Sequence, residues 1–369
     1  VIIGFSNIDI KEKRIFEYQD IAGEPHEIGV GNINPYLVEG KDSLLSKRTN
    51  PICNVQLMLK GSMPNDAGFL ILSKEEKDEL IKKFPISEKF IRLFLGADEF
   101  LYGSERYCLW LVNANPEEIR NIPQIYERIQ KVRECRLKSK RHTTIKDATT
   151  PSLFGEIRQP HSDYIAIPEV SSEKRKYIPI GFLPSEVIIS NKIYSISGGT
   201  LFTFGVLHSF MHMVWVNYIC GRLESRYSYS TSIVYNNFPW PENPSEKQKK
   251  DVEDAAQKVL DVRETFMNPG GNMGDPASRI LHPASCPPDP ESRIGHHKPS
   301  ASLADLYDPL TMPPALVKAH QELDKAVDLC YRPQPFPNET KRIEFLFELY
   351  DKYTADLFTK EKPGKKRKA

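Results

Sequence analysis

Residues 221–230 read GRLESRYSYS and carry a glutamate and an arginine two positions apart, Glu224 and Arg226. An arginine donates to O6 and N7 of guanine in the major groove, and a glutamate accepts from the cytosine amine. Two positions apart on a strand, their side chains share a face, so the pair can reach both members of one G·C pair. The same spacing suits a surface ion pair worth under about 1 kcal/mol. The stretch follows a long apolar run and precedes TSIVYNNFPWP, so it also suits a polar helix stop.

Other constellations are weaker. In NINPYL, Asn34, Pro35 and Tyr36 are one proline short of the Asn-Pro-Pro-Tyr loop with which amino-methyltransferases hold a flipped base. No glycine-rich cofactor loop precedes them in this sequence, so they read as a plain loop. His208 and His212 stand at the i, i+4 spacing of a helical metal pair. Ser209 occupies the place where a zincin needs glutamate, and no third ligand is evident, so packed or hydrogen-bonded histidines fit better than a metallohydrolase. His296 and His297 fall in a polar stretch and read as exposed and inert. There is no nucleophile-elbow motif and no phosphate-binding loop. The expectation is a chain with no catalytic centre and no metal site of its own.

Positive charge is local. The net charge is only +1, yet KVRECRLKSKRHTTIK sets Lys131, Arg133, Arg136, Lys138, Lys140, Arg141 and Lys146 against the single acid Glu134. Cations at a helix end suit the helix dipole, and Thr143 and Thr144 add donors for phosphate oxygens. A second cluster, SEKRKY, holds Arg175 and Lys176. Two such patches fit a DNA-backbone footprint, with Arg136, Lys138, Lys140, Arg141, Arg175 and Lys176 as phosphate ligands.

The elements that must position these residues can be read in order. VIIGF and KRIFEYQD predict strands, and GEPHEIGVGNINPYL a glycine-punctuated loop. FLILSKEEKDELIKKF predicts a strand leading into a helix, with Ser73 and Glu76 spaced as a capping box. ERYCLWLV predicts a strand. Asn115 and Pro116 open a helix, and Pro123 restarts it as far as about Arg141. Residues 151–200 hold the short strands YIAIPEV, KYIPIGF, EVIIS and KIYSIS. LFTFGVLHSFMHMVWVNYIC is apolar on nearly all sides and predicts one buried helix, stopped by Gly221 as a left-handed cap. After Ser245 and Gln248, a second capping box, three amphipathic helices follow. Val252, Ala255, Val259, Val262 and Phe266 mark the first; Leu316, Ala319, Leu323, Ala326 and Cys330 the second; Ile343, Leu346, Tyr350, Tyr353 and Leu357 the third. The Pro- and Gly-rich 267–301 reads as a flexible loop, and KPGKKRKA as a disordered basic tail.

Bulk numbers set bounds. The 369 residues allow two or three domains, and 40% hydrophobic with 27% charged residues is ordinary for a globular protein. The six cysteines (Cys53, Cys108, Cys135, Cys220, Cys286 and Cys330) show no paired spacing. Cys108 and Cys220 read as core thiols, a reducing and cytoplasmic pattern. No apolar run is long enough to span a membrane. The start at VIIGF, without a signal-peptide layout, suggests a piece of something longer.

Several long stretches carry a resemblance. RYCLWLV, TPSLFGEIRQPHSDYIAIPEVSSEKRKYIPIGF, FGVLHSFMHMVWV, SIVYNNFPWP and SLADLYDPLTMPPALVKAHQELDKAVD resemble the C-terminal half of MmeI-like enzymes. These are single-chain type II restriction–modification proteins that methylate adenine and cut at a distance. The resemblance covers nearly all of the chain except 267–300, where relatives are much shorter. It implies an α+β fold, with a β-rich target-recognition domain containing a long buried helix, then a C-terminal helical domain. Residues 1–50 would end a methyltransferase domain, 51–243 would recognise duplex DNA, and 244–369 would be helical. The S-adenosylmethionine pocket, the Asn-Pro-Pro-Tyr motif and the Mg-dependent endonuclease would lie upstream in the same protein. In that family the positions matching Glu224 and Arg226 select one base pair together, and relatives carry Lys and Asp there. It also points to Asn191, Lys192, Ser225 and Ser228 as neighbours tuning other base positions. A rival expectation is a methyltransferase-associated scaffold that does not read DNA; salt-dependent DNA binding would separate the two.

Overall fold

A computed structural model describes residues 3–4, 6–8, 10–18, 23–268 and 301–358. An antiparallel hairpin comes first, β1 (Lys13–Glu17) against β2 (His26–Val30), in register from Lys13↔Val30 to Glu17↔His26. The second strand lies within the stretch expected to be loop. Pairing with β1 satisfies its main-chain groups, and its glycines had hidden it. Of VIIGF only Ile3 and Gly4 are described, and neither is in a strand.

After the short β3 (Met58–Lys60) comes a small mixed unit: β4 (Ile71–Leu72), α1 (Lys74–Lys83), β5 (Ile91–Leu95), α2 (Ala97–Tyr102), β6 (Tyr107–Leu109), α3 (Pro116–Arg120), α4 (Pro123–Leu137) and α5 (His142–Lys146). The capping box at α1 forms as spaced: Ser73 Oγ accepts from Glu76 N at 3.2 Å, and Glu76 Oε2 accepts from Ser73 N at 2.9 Å. Asn115 caps α3 through Glu117 N at 3.0 Å. Helix α4 buries Ile125, Ile129, Val132 and Arg136 along one stripe and ends at Leu137, before the expected Arg141. Leu70, Leu72, Phe94, Cys108, Leu109, Ile122, Ile125 and Val132 make a core of their own.

The main sheet follows, from β7 (Tyr164–Pro168), β8 (Val170–Ser171), β9 (Gly181–Leu183), β10 (Ile188–Ile189) and β11 (Ile193–Ser197). Four strands pair in the order β3-β11-β7-β9, all antiparallel. β10 instead joins the smaller unit, parallel to β5 with Ile188↔Phe94, and so stitches the two together. Of KYIPIGF only the last residues are strand, because Tyr177, Ile178 and Ile180 are buried without sheet partners of their own.

The expected single buried helix is two, α6 (Leu201–Leu207) and α7 (Phe210–Ile219). Ser209 makes the break: its hydroxyl donates to Val206 O at 2.8 Å and accepts from His212 N at 3.4 Å, serving both helix ends. Nor is Gly221 a left-handed cap. Cys220 ends α7 in extended backbone, ψ 135°, and Gly221 begins β12 (Gly221–Leu223), which turns back as β13 (Arg226–Ser228). The third sheet is β12-β13-β8.

Helices α8 (Glu246–Met267), α9 (Leu303–Leu306), α10 (Pro314–Tyr331) and α11 (Glu339–Phe358) complete the chain. The Ser245–Gln248 box caps α8, at 3.3 and 2.9 Å. These helices share one core with the main sheet: Tyr164, Phe204, Trp215, Val252, Leu323, Leu346 and Tyr350 are buried together. A Cβ on Gly205 would sit 2.7 Å from Val252 Cγ1 and 3.2 Å from Leu323 Cδ1, which marks how close α6 comes to α8 and α10. Almost all of 267–301, and the basic tail, lie outside the described residues. The α+β class is as expected, and among the described residues no helix is long and apolar enough to cross a membrane.

Candidate nucleic-acid interface

Glu224 and Arg226 occupy the tip of the β12–β13 hairpin. Leu223 pairs with Arg226, so Glu224 and Ser225 are a two-residue turn. This corrects the expectation that the pair shares one face of a strand: Glu224 is left-handed, φ 57°, and its carboxylate reaches round the turn. Arg226 Nη2 donates to Glu224 Oε2 at 3.0 Å, with the side chains 47% and 78% exposed. So exposed an ion pair adds little to stability, and both groups remain open to an outside partner. Ser225 is exposed, near Glu173, whose carboxyl is held below its ordinary range first by its own main-chain N–H and then by the Ser225 hydroxyl. Ser228 is half-buried, paired with Gly221 on one side and Val170 on the other.

Glu169 links the hairpin to the 190–192 turn. It sits between β7 and β8, and its carboxylate accepts from Lys60 Nζ at 2.6 Å and Lys192 Nζ at 3.2 Å. Burial alone would raise its pKa, but the two ammonium groups outweigh that and hold it low. Its main-chain N donates to Lys192 O at 2.9 Å, and Tyr229 N donates to its carbonyl at 2.8 Å. Asn191, half-buried, and Lys192, exposed, are thereby brought beside the strand that carries the hairpin. Gly61 packs directly on this turn; a Cβ there would lie 2.4 Å from Ser190 O. Sequence reasoning missed Glu169, whose only signal was an acid ending an otherwise apolar strand.

The basic residues divide. Lys174 and Lys176 are exposed and Arg175 half-buried, in the loop that leaves β8, so they flank the hairpin. Lys176 Nζ lies 5.1 Å from the Phe210 ring. Lys138, Lys140 and Arg141 are exposed at the α4–α5 corner of the smaller unit, and no hydrogen bond or ion pair joins them to the hairpin among the described residues. Arg136 is the exception and corrects its assignment to phosphate. It is 1% exposed. Its guanidinium donates to the carbonyls of Asn65 (2.9 Å), Asp147 (2.9 Å), Thr150 (3.0 Å), Pro64 (2.9 Å) and Leu153 (2.7 Å). All five donors of an arginine are thus used inside the fold.

The remaining motifs are structural. His208 and His212 are buried. Arg263 donates to His208 Nδ1 at 2.9 Å, to Tyr307 Oη at 2.6 Å and to Ile180 O at 2.7 Å. Tyr307 Oη meets His320 Nε2 at 2.8 Å, and Tyr177 stacks on His320 at 4.0 Å. Burial, then the Arg263 charge, drives His208 well below its ordinary pKa. His212 meets Tyr229 Oη at 3.0 Å, and burial lowers it to about 3. Asp324 accepts from Tyr177 Oη at 2.6 Å and Phe210 N at 2.7 Å, with burial raising it to about 6. Among the described residues no group of three or more His, Cys, Asp or Glu side chains is placed to hold a metal ion. Asn34 is buried, and its Oδ1 accepts from Tyr36 N (2.9 Å) and Val38 N (3.3 Å) of its own loop. Its Nδ2 is buried without a hydrogen-bond partner, so the loop uses only the oxygen of that amide.

Residues 39–242 match the family model for the MmeI target recognition domain, and residues 291–358 the model for the MmeI C-terminal domain. DNA methyltransferase A of Bacillus subtilis (strain 168) is 36% identical over 354 residues, which are 96% of this chain and 36% of that protein. A solved structure of the type IIL restriction-modification enzyme MmeI in complex with DNA is 44% identical with a TM-score of 0.79, covering 94% of this chain and 42% of that one. The chain therefore spans well under half the length of these relatives.

Proposed function

The chain belongs to the MmeI family, and on that premise we propose that it reads a specific site in duplex DNA for an adenine methyltransferase and endonuclease of the restriction–modification type. The observation that carries this reading is the exposed hairpin tip, where an acceptor, Glu224, and a donor, Arg226, stand together and open to solvent, the two groups a G·C pair would engage. Asn191, Lys192, Ser225 and Ser228 lie on adjoining turns and strands and take neighbouring bases. Lys138, Lys140, Arg141, Arg175 and Lys176 take phosphates. We assign 51–243 to recognition, 244–369 to a helical brace against it, and 1–50 to the end of a methyltransferase domain. We assign S-adenosylmethionine and Mg to catalytic domains of a longer, cytoplasmic protein, which this chain positions on the site.

The test is a pair of exchanges. Glu224→Ala or Arg226→Ala should cost about 1–3 kcal/mol on the selected duplex and little on other DNA. Glu224→Lys combined with Arg226→Asp should invert the preferred base pair at one position, since lysine donates to guanine and aspartate accepts from cytosine. A selected site that keeps its original base pair at every position under the double exchange would place the reading head elsewhere.

A further inference from the structure

We propose that Asn217 and Arg222 are positioning residues for base reading, holding the hairpin tip to the end of α7 and, through Glu339, to α11. The proposal rests on the assignment of Glu224 and Arg226 as base readers. Strands of three residues do not fix a hairpin in space by themselves. β13 is held by β8 through only Tyr227↔Ser171 and Ser228↔Val170. β12 is an edge strand exposed along its whole length. Something must hold that edge if the tip is to meet a base with hydrogen-bond accuracy.

Arg222, on β12, supplies the hold. Its Nη1 donates to Ser225 O in the turn at 3.3 Å, and its Nη2 to Asn217 O in the last turn of α7 at 3.2 Å. The guanidinium lies 4.1 Å from the ring of Tyr227, its partner across the hairpin. The Tyr227 hydroxyl donates to Asn217 Oδ1, and Asn217 Nδ2 donates to Glu339 Oε1 at 2.8 Å. Asn217 therefore grips both strands, one through its carbonyl and one through its amide oxygen. Its amide nitrogen is fixed in turn by the first residue of α11. The next residue, Thr340, donates to Glu17 of β1. One hydrogen-bonded path thus joins the N-terminal hairpin, the C-terminal helix and the reading tip.

The experiment selects the preferred site of the 369-residue chain from a randomised duplex DNA library. It then measures the ratio of Kd for that duplex and for duplexes changed at one base pair. Asn217→Asp puts a carboxylate against Glu339 and removes the donor. It should lower discrimination by roughly 5-fold or more at the position read by Glu224 and Arg226, and leave other positions as they were. Adding Glu339→Gln restores a donor opposite the new acid and should restore the ratio. Arg222→Ala, a change at an exposed site, should show the same single-position loss. Equal weakening on every duplex, or a loss at that position which Glu339→Gln does not repair, overturns the proposal. So does unchanged discrimination in Asn217→Asp and Arg222→Ala while the Glu224→Ala, Arg226→Ala control loses it. If that control keeps full discrimination, or the parent chain selects no site, the base-reading assignment itself fails, and positioning fails with it.

Discussion

Arg136 offers the sharpest separation of a structural cation from a DNA-binding one. Its five N–H groups staple two loops, 64–65 and 147–153, onto α4. Arg136→Met keeps most of the side-chain volume and removes every donor. Each bond contributes about 1 kcal/mol net, and a buried carbonyl left without a donor costs about 1–3 kcal/mol. Water will reach some of the five carbonyls once the loops relax, so the expected loss is about 3–5 kcal/mol, at the upper end for a single substitution. A domain is stable by only about 5–15 kcal/mol, so the change should be plain in a denaturant titration followed by circular dichroism. Amide exchange should quicken first at 147–153. Arg136→Lys keeps the charge but has three donors on one nitrogen, so it should fall between parent and Met variant. If the phosphate role were right, the pattern would reverse. Arg136→Met would unfold at the parent's midpoint, and its DNA affinity would lose about one unit of salt slope. That result would refute the buried staple.

The neighbours on the same run should behave oppositely. Lys140→Gln with Arg141→Gln should leave the unfolding midpoint unchanged and make the salt dependence of DNA binding shallower by up to about two units on every sequence; an unchanged slope would make this corner an ordinary solvated helix end. Asp324 has its pKa raised to about 6, above about 4 in the unfolded chain. The fold therefore prefers the protonated acid, and this contribution is present below about pH 4 and lost as pH rises through about 6. Asp324→Asn mimics the protonated form, so it should be more stable than the parent at pH 7.5, by at most about 3 kcal/mol, with the difference vanishing near pH 4. A variant less stable at pH 7.5 would mean that the carboxylate charge is needed beside Lys176. Gly205→Ala should cost about 1–3 kcal/mol by forcing α6 from α8, and thermal unfolding with Val252→Ala added should recover part of it.

What the sequence disclosed depended on whether the signal was periodic or local. The capping boxes at Ser73 and Ser245 are short-range patterns and formed as spaced. The apolar steps placed α8 and α10 correctly, but the buried stripe of α8 runs through Ala256 and Arg263 rather than Ala255 and Val262, and that of α10 through Val327 rather than Ala326. The same periodicity held a warning about Arg136, which continues the stripe Ile125, Ile129, Val132 on α4. Its place in a run of cations hid that. The break at Ser209 was invisible in an apolar count, because one hydroxyl satisfies two helix ends inside the core. Glu224 and Arg226 stood out by residue type, but their geometry did not. A two-residue turn with a glutamate in left-handed backbone has no asparagine or glycine to announce it. Glu169 acquires its role from Lys60 and Lys192, far apart in the chain, so nothing nearby marked it.

The left-handed backbone at Glu224 has a consequence for descent. At φ 57° a Cβ crowds the following carbonyl, and branching at Cβ makes the crowding severe. Valine, isoleucine and threonine are thus barred from the position, whatever base they might face. Glycine would settle there without strain but would have nothing to say. The turn admits side chains unbranched at Cβ, and at a tip where the Glu224 side chain is 78% exposed the polar ones among them sit at least cost; these are the ones that donate or accept. The backbone so writes a short alphabet, in which most tolerated spellings still carry meaning, and a lineage that drifts at this position changes its word before it loses its fold.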